Sequence, residues 1–301
     1  MNVVFHIGYS KTATTWFQKY YFPKVVNSSY VLLRDANRIF LNTDFFVFDS
    51  QKARKDLIAI SKNKNLLVSS EHFTTAISFG RHYGYISAGI ANKIHATFPE
   101  AHIVVFLRRQ QSLICSAYQQ YIKNGGTFGF KRWFYSGDVF NKEHLIFDKL
   151  ISYYDGLFGK SNVHVYLFEE FRENQVEFLK KMNEELGFEV DFEKISFAKV
   201  NRGIRKGLFF LLKIMNYFYN KPLGTKRCII HIPGMIHIER AVYKYLNPYR
   251  FFGSFLSEKD FLSRKDIENI KQFYSRSNTI LSKRIDAEKL RRFGYFLEDG
   301  Q

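Results

Sequence analysis

The residues best suited by type and spacing to do chemistry are Gly8-Tyr9-Ser10-Lys11-Thr12-Ala13-Thr14-Thr15-Trp16, one lysine among three threonines and a serine. An apolar run, Val3-Val4-Phe5-His6-Ile7, precedes them, and a stretch with helical spacing follows. A strand that ends in such a turn at a helix N-terminus is an anion cradle. Backbone N–H groups and the helix dipole face the ligand, and Lys11 adds a full positive charge. Phosphate is the natural occupant. The nucleoside-triphosphatase form needs G-x-x-x-x-G-K-[ST], which this loop lacks, because Gly8 stands three residues before Lys11 and Ala13 comes after it. A second apolar run, Ile103–Leu107, ends in Arg108-Arg109-Gln110 without an Asp, the residue with which phosphoryl-transferring P-loop enzymes hold Mg²⁺ at that place. Metal-free chemistry is therefore expected.

Elements that could position these residues are legible as alternation. Short runs rich in Val, Ile and Phe at Val3–Ile7, Tyr30–Leu33, Leu66–Ser69, Ile103–Leu107 and Val163–Phe168 have the pattern of strands buried on both faces. Gln51–Lys62, Tyr85–Phe98, Ser112–Lys123 and Glu143–Leu157 lie between them with helical periodicity. This order predicts an α/β fold with a doubly wound parallel sheet, whose ligands bind beyond the carboxyl ends of the strands. After about residue 170 the pattern becomes helical, over Phe171–Leu186, Leu208–Asn220 and a long helix from Lys265 to Ile285. Ser263 and Asp266 supply a capping signal for the last of these. The expected organisation is one domain over 1–301, with an α/β core (1–170) and a helical elaboration (171–301).

Composition narrows the class. The chain has 301 residues, 46% of them apolar, with 18 Gly and 5 Pro and no repeat, which excludes solenoids and disordered linkers. Cys115 and Cys228 form no disulfide framework, and no Cys or His has metal-ligand spacing, including His6, His82, His95 and His102. The beginning of the chain has neither the basic start nor the long apolar stretch of a signal peptide, so a cytoplasmic location is expected. A net charge of +17 favours polyanionic partners, among them nucleotides, nucleic acid, acidic glycans and anionic lipid.

Lys11-Thr12-Ala13-Thr14-Thr15-Trp16 resembles the Lys-Ser-Gly-Thr-Thr-Trp loop of the 3'-phosphoadenosine 5'-phosphosulfate (PAPS)-dependent sulfotransferases, in particular bacterial, carbohydrate-type members. Ala13 stands at the family's Gly position, which requires a negative φ there. Arg108 and Ser116 match the family's Arg and Ser, eight residues apart, that hold the 3'-phosphate. Val165–Phe171 is similar to its strand ending in a Tyr-Glu-Asp-Leu-like turn, and Arg205-Lys206-Gly207 reproduces a cofactor-loop triplet of some members, though the triplet equally suits the start of a helix. The resemblance, over residues 3 to 207, implies a P-loop-like three-layer sandwich. It further implies sulfuryl transfer from PAPS, with adenosine 3',5'-bisphosphate (PAP) as product and no metal. Gly8, Ser10, Lys11, Thr12, Ala13, Thr14, Thr15, Trp16, Arg108, Ser116, Arg205, Lys206 and Gly207 are then the cofactor-binding residues.

An attacking acceptor oxygen must lose a proton, and the leaving phosphate must be stabilised, a task that fits Lys11. The family places a Glu or His at the end of the third strand, where Glu71 is the first candidate base and His72 the second. Helix capping or an ion pair for Glu71, and a structural role for His72, compete with these assignments. Residues 199–250 carry eleven Lys/Arg and one acidic residue, Glu239, with interleaved aromatics. They are read as a platform for a glycan acceptor, with peripheral contact to an anionic membrane at its inner face and no specific nucleic acid. The competing classes are a P-loop nucleotide or small-metabolite kinase and a non-enzymatic basic binder of nucleic acid or membrane.

Overall fold

A computed structural model describes residues 1–62, 64–74, 86–198, 203–219 and 227–298. Five strands form one all-parallel sheet: β1 (Val3–Gly8), β2 (Ser28–Val31), β3 (Asn65–Ser69), β4 (His102–Leu107) and β5 (Val163–Leu167). Their order is β2-β3-β1-β4-β5, so β1 is central and delivers its loop between the ends of β3 and β4. The order reverses across β1, the place where a doubly wound sheet opens a ligand crevice.

The period of two along each strand feeds two cores. Val3, Phe5 and Ile7, with Leu66, Val68, Ile103, Val105 and Leu107, pack on one face, while Val4, Leu67, Val104, Phe106 and Tyr166 pack on the other. The first face is covered by helices that include α2 (Leu33–Phe40), α3 (Ser50–Ser61), α4 (Ser87–Thr97), α5 (Gln110–Lys123) and α7 (Phe147–Phe158). Trp16, Phe17, Tyr21 and Phe22 cover the second, together with Phe178, Leu179, Met182 and Leu186 of α9 (Gln175–Leu186). The result is the three-layer α/β architecture that the alternation predicts.

Several boundaries differ from expectation, among them the start of the helix expected at Glu143, which begins at Phe147 after a 3-10 turn, and two others are instructive. The second strand is Ser28–Val31 rather than Tyr30–Leu33, because the apolar run continues into α2, whose Ala36, Ile39 and Phe40 face the core while Leu32 is left exposed. The stretch Phe171–Leu186 is cut at Asn174, which ends α8 (Phe168–Glu173) and accepts a hydrogen bond from Glu177 N to cap α9. No named strand follows β5 among the described residues. Ile204, Leu208, Leu212, Ile270 and Tyr274 of the helical region share the first core with β1. The capping box at Ser263 and Asp266 opens α12 (Arg264–Leu281) as its sequence signal predicts. No helix of the described residues is long and apolar enough to cross a membrane.

Candidate active site

The ladder between β1 and β4 shifts register between His6 and Gly8, where the chain turns out of the sheet. Gly8 is required there. Its φ is +111°, and a Cβ would stand 2.7 Å from Thr74 Oγ1 and 3.3 Å from Glu71 Cα. The loop of β1 is thus pressed against the turn that follows β3.

Lys11 and Ala13 both have positive φ, +69° and +66°. For Ala13 this corrects the expected negative φ: residue 13 is left-handed although it carries a Cβ. An Ala in that region costs on the order of 1–2 kcal/mol, so the surrounding loop must enforce it. The loop does so through Tyr9 O, which accepts from the buried hydroxyls of Thr12 and Thr14, the latter at 3.1 Å. Tyr9 itself is anchored by donating N–H to Phe106 O at 3.0 Å. Left-handed residues on either side of Thr12 make a concave run of amides of the kind that binds anions. The N–H groups of residues 10–13 donate to no acceptor among the described residues. The hydroxyls of Ser10 and Thr15 are likewise unspent, whereas Trp16 is a buried anchor whose Nε1 donates to Ser196 O at 3.1 Å.

Two cations close on this concavity. Lys11 Nζ donates to Gln120 Oε1 at 3.2 Å, and burial together with Lys123 and Arg108 lowers its pKa to about 8, opposed by Glu71. Arg108, at the carboxyl end of β4, donates Nη1–H to Lys11 O at 2.9 Å and Nε–H and Nη2–H to Ser112 Oγ at 3.0 and 2.6 Å. Its guanidinium also lies over the Phe168 ring, 4.8 Å from the centroid. Burial lowers its pKa to about 10, so it remains charged at neutral pH.

Ser112 and Gln120 were not singled out in the sequence, yet they connect the site to α5. With Ser116 they stand at positions i, i+4 and i+8, one face of a helix whose other residues are largely buried. Arg108 meets one end of that stripe and Lys11 the other. Ser116, half-buried between them on the same helix face, makes no hydrogen bond among the described residues. Arg108 is held by Ser112, one turn before its expected companion. A run of polar residues at helical spacing in an apolar helix was the signal available for all three.

At the end of β3, Glu71 opens a single 3-10 turn, and Ser70, not Glu71, caps it by accepting from His72 N at 3.2 Å. One Glu71 carboxylate oxygen accepts from Gln18 Nε2 at 3.0 Å, and the carboxylate is close enough to Lys11 to oppose the lowering of its pKa. The His72 side chain makes no hydrogen bond or ion pair with the loop among the described residues.

Arg205, Lys206 and Gly207 make contacts elsewhere in the helical region. They open α10 (Lys206–Met215), the alternative reading of that triplet. Arg205 donates to Asn247 O at 2.9 Å, Gly253 O at 2.5 Å and Pro248 O at 3.4 Å, Lys206 pairs with Asp260 at 2.6 Å, and Gly207 packs on Phe252. No hydrogen bond or ion pair joins them to residues 8–16 among the described residues. Lys221 and Lys226 of the basic region, and His82, lie outside the described residues.

No family model matches the chain, and no curated protein does. Among solved structures, a sulfotransferase from Alicyclobacillus acidocaldarius is similar over 67% of this chain and 87% of its own, at 16% identity and a TM-score of 0.47. The mouse sulfotransferase SULT7A1, complexed with PAP, is similar over 97% of this chain and 88% of its own, at 12% identity and a TM-score of 0.48. Likeness at that distance carries no argument about activity, which has to come from the residues themselves.

Proposed function

We propose that this chain transfers a sulfuryl group from PAPS to a hydroxyl or amine of an acceptor, and that the acceptor is a glycan. The observation that carries this reading is the convergence of unspent donors at one loop. Free amides of residues 10–13, Lys11 and Arg108 meet where β1 and β4 end, and neither cation forms a salt bridge among the described residues, although Glu71 lies near Lys11 and Glu169 near Arg108. Such a donor set suits a ligand with two phosphate-like groups. The amides and Lys11 hold the 5'-phosphosulfate. Arg108, once released from Ser112, and Ser116 hold the 3'-phosphate.

In the reaction, Glu71 takes the proton of the acceptor oxygen as that oxygen bonds to sulfur. The bond between sulfur and the bridging phosphate oxygen breaks, and PAP leaves with the electron pair. Lys11 faces the oxygen on which charge develops, which is where a fixed cation lowers the barrier. Gln18 orients Glu71 through the 3.0 Å hydrogen bond. His72 is the second candidate base.

The kinase reading lacks an acidic residue after β4, and a purely electrostatic binder leaves the left-handed loop unexplained. The glycan assignment rests on the basic and aromatic surface after residue 203. Exposed Ile229, Ile230, Tyr249 and Phe251 lie in sequence among Arg227, Lys244 and Arg250, a composition suited to peripheral contact with anionic lipid at the cytoplasmic face. Sedimentation with phosphatidylserine vesicles that leaves the protein in the supernatant at low salt would remove that last element. The activity is tested by incubation with ³⁵S-labelled PAPS, a panel of glycans, lipids and phenols, and excess chelator. Label should reach a glycan without added metal. Phosphate transfer from ATP with Mg²⁺, and no sulfate transfer, would replace this reading with the kinase.

A further inference from the structure

A cavity of about 530 Å³ lies between the carboxyl end of α5 and α11 (Met235–Leu246). Its lining includes Lys123 of α5, Asn124 just after that helix, and Glu239, Arg240, Tyr243 and Lys244 from α11. The volume is in the range of small-molecule sites. Six of the eight residues that line it carry charged or amide side chains. Three cations face one carboxylate, and no salt bridge joins Lys123, Arg240 or Lys244 to an acidic residue among the described residues. Glu239 is buried at 2% exposure, and the Tyr219 hydroxyl lies against it. Lys123 Nζ sits over the Tyr243 ring, 3.9 Å from the centroid, tying the two walls together.

This cavity is joined to the phosphate loop by two hydrogen bonds in series. Lys11 Nζ donates to Gln120 Oε1 at 3.2 Å, and Gln120 Nε2 donates to Asn124 Oδ1 at 2.9 Å. Asn124 lines the cavity, and its Nδ2 donates no hydrogen bond among the described residues. Lys123 is near enough to Lys11 to depress its pKa, an independent sign that the two sites share one field.

We infer that the cavity between α5 and α11 is the acceptor subsite, and that it takes an acidic sugar. The inference rests on the sulfotransferase reading and adds the ligand class. Vicinal hydroxyls need donors and acceptors side by side, which the Asn124 amide and the Glu239 carboxylate provide. A sugar carboxylate or sulfate needs the unpaired cations, which Arg240 and Lys244 provide. An apolar phenol or sterol would leave all of these desolvated without partners, a costly arrangement. Gln120 then links occupancy of the subsite to the position of the Lys11 ammonium.

The test is calorimetry with PAP-saturated protein, using a hexasaccharide of alternating hexuronate and N-acetylhexosamine, and maltohexaose as its neutral counterpart. The acidic hexasaccharide should bind at least tenfold more tightly than maltohexaose. Arg240→Glu combined with Lys244→Glu should weaken it at least twentyfold while changing PAP affinity less than twofold. A control pair on other elements, Lys55→Glu with Lys180→Glu, both exposed, should change neither. Equal loss in the control pair, or preference for maltohexaose, would overturn the subsite. If wild type binds PAP but not the acidic sugar, this inference fails alone, and if it binds neither, the sulfotransferase reading falls with it.

Discussion

The molecule carries two basic clusters that look alike in sequence and differ in what their charges do. Lys11 and Arg108 form no salt bridge among the described residues and lie beside backbone donors that no described group accepts. Arg205 and Lys206 are fully engaged, the first by three carbonyls of the 247–253 segment and the second by Asp260. A guanidinium spent on backbone carbonyls holds a fold together, whereas one held only by a serine and a loop carbonyl can exchange those partners for a phosphate. Function follows from which donors are left over rather than from the triplet that carries them.

The largest effect that could break this comparison comes from the base. Glu71→Gln should lower sulfuryl transfer by about 10²–10⁴-fold, because the amide keeps the Gln18 neighbourhood but cannot take a proton. Affinity for PAP should be preserved. An inactive His72→Ala alongside an active Glu71→Gln would reverse the assignment.

A smaller effect is expected from pH. The Lys11 ammonium, with a pKa of about 8, is mostly protonated at pH 7 and mostly neutral by pH 9.5. Below its pKa it is charged and attracts the anion, so PAP affinity should fall as pH rises through about 8. Binding of PAP to Lys11→Ala should lack that decline. A flat profile in the wild type between pH 7 and 9.5 would show that Lys11 is not in contact with the phosphates.

Smallest is the effect of the loop's own strain. Ala13→Gly should relieve the left-handed conformation at a cost in unfolded-chain entropy, a net stabilisation of up to about 1 kcal/mol, read from urea unfolding. Destabilisation by the glycine would argue that residue 13 is not left-handed in solution.

Much of this was legible in the sequence. Alternation of apolar runs and helical stretches located all five strands, and Gly8 through Trp16 marked the loop, because local patterns suffice where burial on both faces demands them. The Leu32 boundary was missed because an apolar run does not say where its period changes from two to 3.6. The φ of Ala13 was missed because side-chain hydrogen bonds within the loop, from the hydroxyls of Thr12 and Thr14 to Tyr9 O, overrode an intrinsic preference. The tie between Gln120 and Lys11 spans 109 positions, so no local signal could announce it. The same holds for Arg205, whose partners lie more than forty residues later in the chain.

The most direct measurement is calorimetric titration of PAP into wild type, Arg108→Ala and Arg205→Ala, side by side at pH 7. If unspent donors at the β1 and β4 ends make the site, Arg108→Ala weakens PAP by about 1.5–3 kcal/mol, the range for a hydrogen bond to a charged group. Arg205→Ala then leaves PAP affinity within twofold of wild type and lowers only the unfolding midpoint. Unchanged PAP binding in Arg108→Ala, or a loss in Arg205→Ala as large as that expected for Arg108→Ala, would contradict it.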